Sequence, residues 1–343
     1  MLKNKIAPYP LLLVILLTAL VMSVGLGAVF IPPATLGRML AARLAGVSVA
    51  ADWPQYYATI LWEMRLPHTI LIALTGAALA SSGAAFQGLF RNPLADPYLI
   101  GVASGAGLGA VLAMTLHFPS SFSGLSLIPL AAFIGGTLTV FVVYGLARIG
   151  NVVPLTTLIL AGVAVGSFTS ALTSFLMMRS EGELHRAISF LLGGSAMAGW
   201  TPVLAVLPYM VLGMGLLVLS GHVLNVLQFG EEEAGQLGLS VERAKLFVLV
   251  TASLTTAAAV AFSGVIGFIG LIVPHLMRIL WGQDYRRLIP LSILGGASAL
   301  LAADMLARVL MAPQSLPVGI VTALAGAPFF MWILRRAKTE VFW

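Results

Sequence analysis

The sequence predicts an all-α polytopic membrane protein, and three observations carry that prediction. Of the 343 residues, 59 % are apolar and only 9 % charged, against about 25 % charged in soluble domains. The apolar residues gather into long runs, the first of them, Leu11 to Ile31, long enough to cross ~30 Å of hydrocarbon as a helix. The few charges cluster between those runs. Backbone polar groups in hydrocarbon need internal partners, so such runs are expected to be helical. No strand pattern, linker or low-complexity tract divides the chain, which reads as one transmembrane domain over residues 1–343. Without cysteine there is no disulfide framework, thiolate metal site or cysteine nucleophile. The net charge of +6 is dispersed between apolar runs, so it reports membrane topology and not a nucleic-acid partner.

In chain order, Lys3 and Lys5 precede the first run, Leu11 to Ile31. It is longer than a usual signal-peptide core and hydrophobic sequence follows it, so it reads as a retained span. Pro32 and Pro33 end it. Residues 34–66 hold Arg38, Arg43, Asp52, Glu63 and Arg65, too polar for lipid, with an amphipathic piece around Leu36 to Leu44. Nine more runs follow: Thr69–Phe90, Tyr98–Leu116, Leu125–Ala147, Val152–Met178, Val203–Leu219, Leu246–Phe262, Val265–Leu280, Leu288–Ala303 and Val318–Leu334. That makes ten candidate spans, the eighth being short and carrying His275 and Arg278 near its end. Ten spans place both termini on one side. With that side cytoplasmic, twelve of the 18 Lys and Arg lie inside and six outside, namely Arg38, Arg43, Arg65, Arg179, Arg186 and Arg308. This is the bias the positive-inside rule describes.

The longest charged stretch is Gln228 to Lys245, QFGEEEAGQLGLSVERAK, between two apolar runs. It must sit in water. Asn225 to Gln236 is long enough for a short helix, with Glu231, Glu232 and Glu233 complementing the positive end of its dipole and Gly238 as its stop. Such a helix is either a handle for a soluble partner or a solvated connector. Gly230 and Gly235 mimic phosphate-loop spacing, but Gln236-Leu237 stand where Lys-Ser/Thr is required, so nucleotide binding is not expected in this chain.

Gly101, Gly105 and Gly109 form a small-residue face for close packing. Gly264, Gly267 and Gly270 either keep one helix face bare or unwind it locally, and Pro274 invites a kink. Arg91-Asn92-Pro93-Leu94-Ala95-Asp96-Pro97 is a rigid turn, a constriction or a tight connector, in which both residues preceding proline are pushed from helical geometry. The stretch GAAFQGLFRNPLADP resembles GVIGFIGLIVPHLMR, as in an inverted repeat. Intramembrane charge, the usual pointer to ion-coupled transport, is sparse. Asp304 and Arg308 stand one helical turn apart and are placed to pair, while His275 reads as a satisfied structural histidine. No metalloprotease motif or paired mid-span aspartates are present, and Ser195 has no evident histidine partner. Arg179, Glu181, Glu183, His185 and Arg186 either greet an anionic or metal-bearing ligand at the outer mouth or form a solvated loop.

FRNPLADPYLIGVASGAGLGA at 90–110, Gly-Glu-Glu-x-Ala-x-x-Leu-Gly at 230–238, GFIGLIVPHLMR at 267–278 and LPVGIVTALAGAPFF at 316–330 occur in this order. With these motifs the chain resembles the permease subunits of type II ABC importers, the vitamin B12, haem and ferric-siderophore transport family. The resemblance implies a BtuC-like fold of ten helices per subunit and a homodimer around a central pathway. It further implies two ATPase subunits, a periplasmic or lipid-anchored substrate-binding protein and a location in the bacterial cytoplasmic (inner) membrane, with no bound cofactor. Glu231, Glu232, Glu233, Ala234, Leu237, Gly238 and Leu239, within a cytoplasmic segment 222–243, match the helix that docks on the ATPase. Asn92, Leu94, Leu155 and Thr156 match a cytoplasmic gate, with Leu155 where some relatives have a hydroxyl. Arg65 and Arg308 match arginines that pair with glutamates of the binding protein. His68 stands where some relatives carry another arginine, which either removes that contact or makes it pH-sensitive. The implied cargo is an iron-siderophore, haem or cobalamin compound, moved by alternating access. An ion-coupled secondary transporter and a membrane scaffold are the alternatives.

Overall fold

The computed structural model describes residues 7–27, 29, 31–44, 53–117, 121–122, 125–150, 152–179, 182–194, 199–311 and 314–340. Two helices, α1 (Pro8–Gly25) and α2 (Pro33–Leu44), are followed by α3 (Gln55–Thr59), which runs through a π-helical turn at Ile60–Arg65 into α4 (Leu66–Leu89). A 3₁₀ turn at Pro97–Ile100 leads to α5 (Val102–Thr115), α6 (Leu127–Ala147), α7 (Leu155–Arg179), α8 (Leu184–Leu191) and α9 (Trp200–Leu219). The chain then forms α10 (Gly221–Leu227), α11 (Glu231–Gln236), α12 (Val241–Ser263), α13 (Ile269–Trp281), α14 (Tyr285–Leu310) and α15 (Val318–Glu340). The fourth apolar run opens on a small antiparallel ribbon of Ser121–Phe122 with Leu125–Ser126, so its helix starts two residues later than Leu125.

Seven helical stretches are long and apolar enough to cross a membrane, and three shorter apolar helices, Val102–Thr115, Ile269–Trp281 and Val318–Trp332, occupy the other predicted runs. Two of the short ones have a visible cause. The third run is broken by the 3₁₀ turn and by Gly101 at φ 79°, and the eighth is non-helical from Gly264 to Phe268. Gly264 has φ 75° and Phe268 φ 70°, so the Gly264/Gly267 pattern unwinds the helix and does not merely bare one face. A bulky residue with positive φ is a true outlier and needs its surroundings to hold it.

The two unwound stretches satisfy each other. The Tyr98 hydroxyl donates to the Ile266 carbonyl at 2.8 Å and accepts from the Ile266 amide at 3.3 Å. A methyl built on Gly83 would overlap the Gly270 carbonyl, and one on Gly270 would lie 2.9 Å from the Leu79 carbonyl and 3.3 Å from Pro97. The two look-alike motifs of the sequence therefore meet in space, each giving the other the contacts that irregular backbone in a bundle requires. Tyr98→Phe leaves both Ile266 groups without this partner. It is expected to cost about 1–3 kcal/mol, read as a lower Tm of the detergent-solubilised protein; an unchanged Tm would refute this role.

α4 is the axis of the bundle. Nineteen of its 24 residues are buried, against four of 25 in α7, and it packs on α12, α13 and α14. Small residues permit this: Ala78, Ala80, Ala84 and Ala85 are fully buried, and a side chain on either Gly76 or Gly296 would strike the other's carbonyl. Gly105 and Gly109 play the same part against Gly135 and Ala131 of α6, whereas Gly101 serves as the left-handed cap before α5.

Candidate functional site

The segment 222–243 does not form one helix over Asn225 to Gln236. α10 ends at Leu227, Gly230 turns the chain at φ 122°, and α11 starts afresh at Glu231. Only glycine adopts that backbone readily, and a side chain at 230 would also strike the Glu233 carboxylate. The three glutamates do occupy the first turn of α11. The helix closes at Gly238, φ 87°, with the Leu239 amide donating to the Ala234 carbonyl at 3.0 Å, a Schellman-type end. Ala234 is fully buried and Leu239 half-buried, anchoring α11, while Glu232 and Glu233 are exposed. Phe229 at 71 % and Leu237 at 68 % exposure flank them as an apolar edge.

Glu231 behaves differently. It accepts from Lys245 Nζ at 3.0 and 3.2 Å, and the same ammonium reaches Glu242 at 2.8 Å. Lys245 is 6 % exposed. The second oxygen of Glu242 accepts from the Val153 amide at 3.3 Å, two residues before Leu155. Leu89, Leu155, Leu158, Glu242 and Lys245 line one small cavity, so the end of α4 and the start of α7 are neighbours here.

The turn 91–97 follows α4 directly. Arg91 takes φ 49°, and Asn92 Oδ1 accepts from the Leu94 amide at 2.9 Å. Asn92 and Thr156 are exposed, Leu94 and Leu155 half-buried. Gln228 donates to the Gly88 carbonyl at 2.9 Å, tying the α10–α11 link to the last turn before this corner. Asn225 donates to Asp284 Oδ1 at 2.6 Å and accepts from the Tyr285 amide at 2.8 Å, tying α10 to the start of α14. The Asn225 amide is the chief cause holding the Asp284 carboxyl below the usual carboxylate range. Gln87, 1 % exposed, donates to the Leu271 carbonyl and accepts from Arg278. Gln87 was not singled out from the sequence, and Asn225, Gln228 and Lys245 entered only as part of the charged segment and its helix, without these partners. A glutamine inside an apolar run was the available signal, since a buried amide needs partners.

At the other end of the bundle the structure brings His68 and Arg308 onto Asp304, with Arg65 lining the same cavity. Asp304, 5 % exposed, accepts from His68 Nε2 at 2.9 Å through Oδ1 and faces Arg308 Nε at 2.9 Å through Oδ2. Arg308 also donates to the Ser23 and Leu26 carbonyls, both at 3.1 Å, and to Ser23 Oγ at 2.9 Å. Arg65 donates to the carbonyls of Val24 at 2.9 Å, Gly25 at 3.0 Å and Val29. Both guanidiniums thus serve the unpaired carbonyls at the C-terminal end of α1, where positive charge is favoured. These groups line a cavity of about 430 Å³ with Ser189, Gly193 and Gly194. The Asp304–Arg308 pair was legible at one-turn spacing; the recruitment of His68 was not.

His275 Nδ1 has no hydrogen-bond partner among the described residues, so that histidine is not satisfied as expected. Glu183, at the N-cap of α8, lies 3.6 Å from Arg186 within it. Glu181 and Ser195 fall outside the described residues.

A bundle of apolar helices, seven of them long enough to span a bilayer, defines a multi-pass membrane protein. The model of the FecCD transport family matches residues 13–336, and the chain belongs to that family. It is 45 % identical over 287 residues to the cobalamin import system permease protein of Halobacterium salinarum, covering 84 % of this chain and 76 % of that one. It is 42 % identical over 288 residues to the hemin transport system permease protein of Yersinia pestis, covering 82 % and 84 %. Among solved structures, an inward-facing metal-chelate type ABC transporter superposes with a TM-score of 0.77 at 31 % identity, covering 96 % of this chain and 98 % of that one.

Proposed function

We propose that the chain is the membrane-spanning subunit of an ATP-driven importer, taking an iron-siderophore, haem or cobalamin compound into the cytoplasm by alternating access. The observation that carries this reading is the wiring of α11. Its outer surface offers Phe229, Glu232, Glu233 and Leu237 to a soluble partner. Its inner surface is linked through Lys245 and Glu242 to the segment before Leu155, and through Gln228 to the segment before Asn92. Force applied to α11 therefore reaches both halves of the proposed gate, Asn92/Leu94 and Leu155/Thr156. An ATPase in trans supplies that force, since this chain lacks the phosphate-loop lysine.

In this reading all ten apolar helices cross the bilayer in one domain, both termini are cytoplasmic, and α11 faces the cytoplasm. α7, largely uncovered here, packs against a second copy around the pathway. Arg65, His68 and Arg308 face outward, and carboxylates of a binding protein compete there with Asp304 and the α1 carbonyls. Relatives of nearly equal identity carry cobalamin in one case and hemin in the other, so overall identity does not rank the cargo.

The test is co-purification with the ABC ATPase encoded beside the gene, followed by ATP hydrolysis and uptake in proteoliposomes. Leu237→Arg with Glu232→Ala is expected to reduce assembly at least tenfold while the permease stays monodisperse. Failure of any ATPase to bind, with uptake driven by an ion gradient alone, would replace this reading by secondary transport.

A further inference from the structure

We infer that the outer face of α12 is a binding site for one anionic diacyl phospholipid. Leu246, Val250 and Leu254 form a ridge with an apolar groove on either side. The first groove, about 510 Å³, lies between α9 and α12 and is walled by Tyr209, Leu212, Leu216 and Phe247. The second, about 270 Å³, lies between α6 and α12 and is walled by Val140, Phe141, Tyr144 and Leu249.

Length and charge both select this occupant. Along α12 the first groove runs from Arg243 to Thr255, which at ~1.5 Å per residue is about 18 Å. One leaflet of hydrocarbon is about 15 Å deep, half of ~30 Å. Two grooves that share a ridge suit two acyl chains joined at a single headgroup. Arg243 stands at the α11 end of the first groove, exposed. Among the described residues no carboxylate pairs with it, because the adjacent Glu231 and Glu242 are both held by Lys245. A guanidinium is matched to phosphate by its planar, bidentate donors, and because a zwitterionic headgroup carries its own cation beside the phosphate, only an anionic one neutralises Arg243. The walls are exposed and apolar, Leu212 at 64 % and Phe141 at 58 %, as a surface facing acyl chains would be.

The site is tested by native mass spectrometry of the full chain in mild detergent, titrated with palmitoyl-oleoyl phosphatidylglycerol or phosphatidylcholine. Wild type is expected to retain one phosphatidylglycerol at a concentration at least tenfold below that needed for phosphatidylcholine. Arg243→Ala should abolish the preference and Arg243→Lys keep most of it. Leu216→Trp, which narrows the groove, should weaken retention of both lipids. Equal retention of the two lipids by wild type, or an unchanged preference in Arg243→Ala, overturns the proposal. So does a disulfide-linked dimer formed in membranes by Leu212→Cys, which would place a second copy in the groove.

Discussion

Lys245→Met is expected to abolish productive coupling between the soluble partner and transport while leaving the bundle folded. The ammonium lies 2.8 Å from Glu242 and 3.0 Å from Glu231, and its side chain is 7 % exposed. Removing one partner from a fully buried ion pair costs about 3–5 kcal/mol, because the remaining charge is stranded. Here the two carboxylates are 39 % and 36 % exposed, so water screens them and about 1–3 kcal/mol is the realistic range. That loss falls on the joint between α11 and α12, and not on the core. Glu231 and Glu242 then repel each other, Glu242 loses its position beneath the Val153 amide, and α11 turns without moving the start of α7. The measurement is the ratio of substrate transported to ATP hydrolysed in the reconstituted complex, expected to fall at least tenfold with assembly retained. Lys245→Arg should recover part of it. A Lys245→Met complex with normal stoichiometry would show that the joint carries no signal.

Asp304→Leu is expected to be the most destabilising single change at the opposite end. One carboxylate there serves His68 and Arg308, each at 2.9 Å, from 5 % exposure. Its loss strands a guanidinium whose side chain is only 17 % exposed, and about 3 kcal/mol is expected. The Ser23 and Leu26 carbonyls still accept from Arg308, which keeps the cost from rising further. The change should appear as a large drop in Tm of the solubilised protein and in the amount recovered from membranes. In a His68→Leu background the same substitution should cost measurably less, since coupled neighbours are not additive. Equal costs in the two backgrounds would mean that His68 and Asp304 do not act together.

Composition and run length by themselves determined that this is a bundle of membrane helices, because an uncharged run of that length admits few other structures in lipid. Local spacing also determined the Asp304–Arg308 pair, the acidic first turn of α11 and the close face of Gly105 and Gly109, since each depends on residues within about one helical turn. Tertiary structure alone decided the rest. It unwound the third and eighth runs where Tyr98 and Ile266 meet across 168 positions. It split the predicted 225–236 helix at Gly230, turned Glu231 inward onto Lys245, and joined Val153 to Glu242 across 89 positions. It also gathered Arg65 and Arg308 around the end of α1 and set His68 on Asp304, with Ser23 and Arg308 standing 285 positions apart. Periodicity reports which face of a helix is apolar, whereas a polar group's partner is chosen by whichever helix end the packing brings within hydrogen-bond reach.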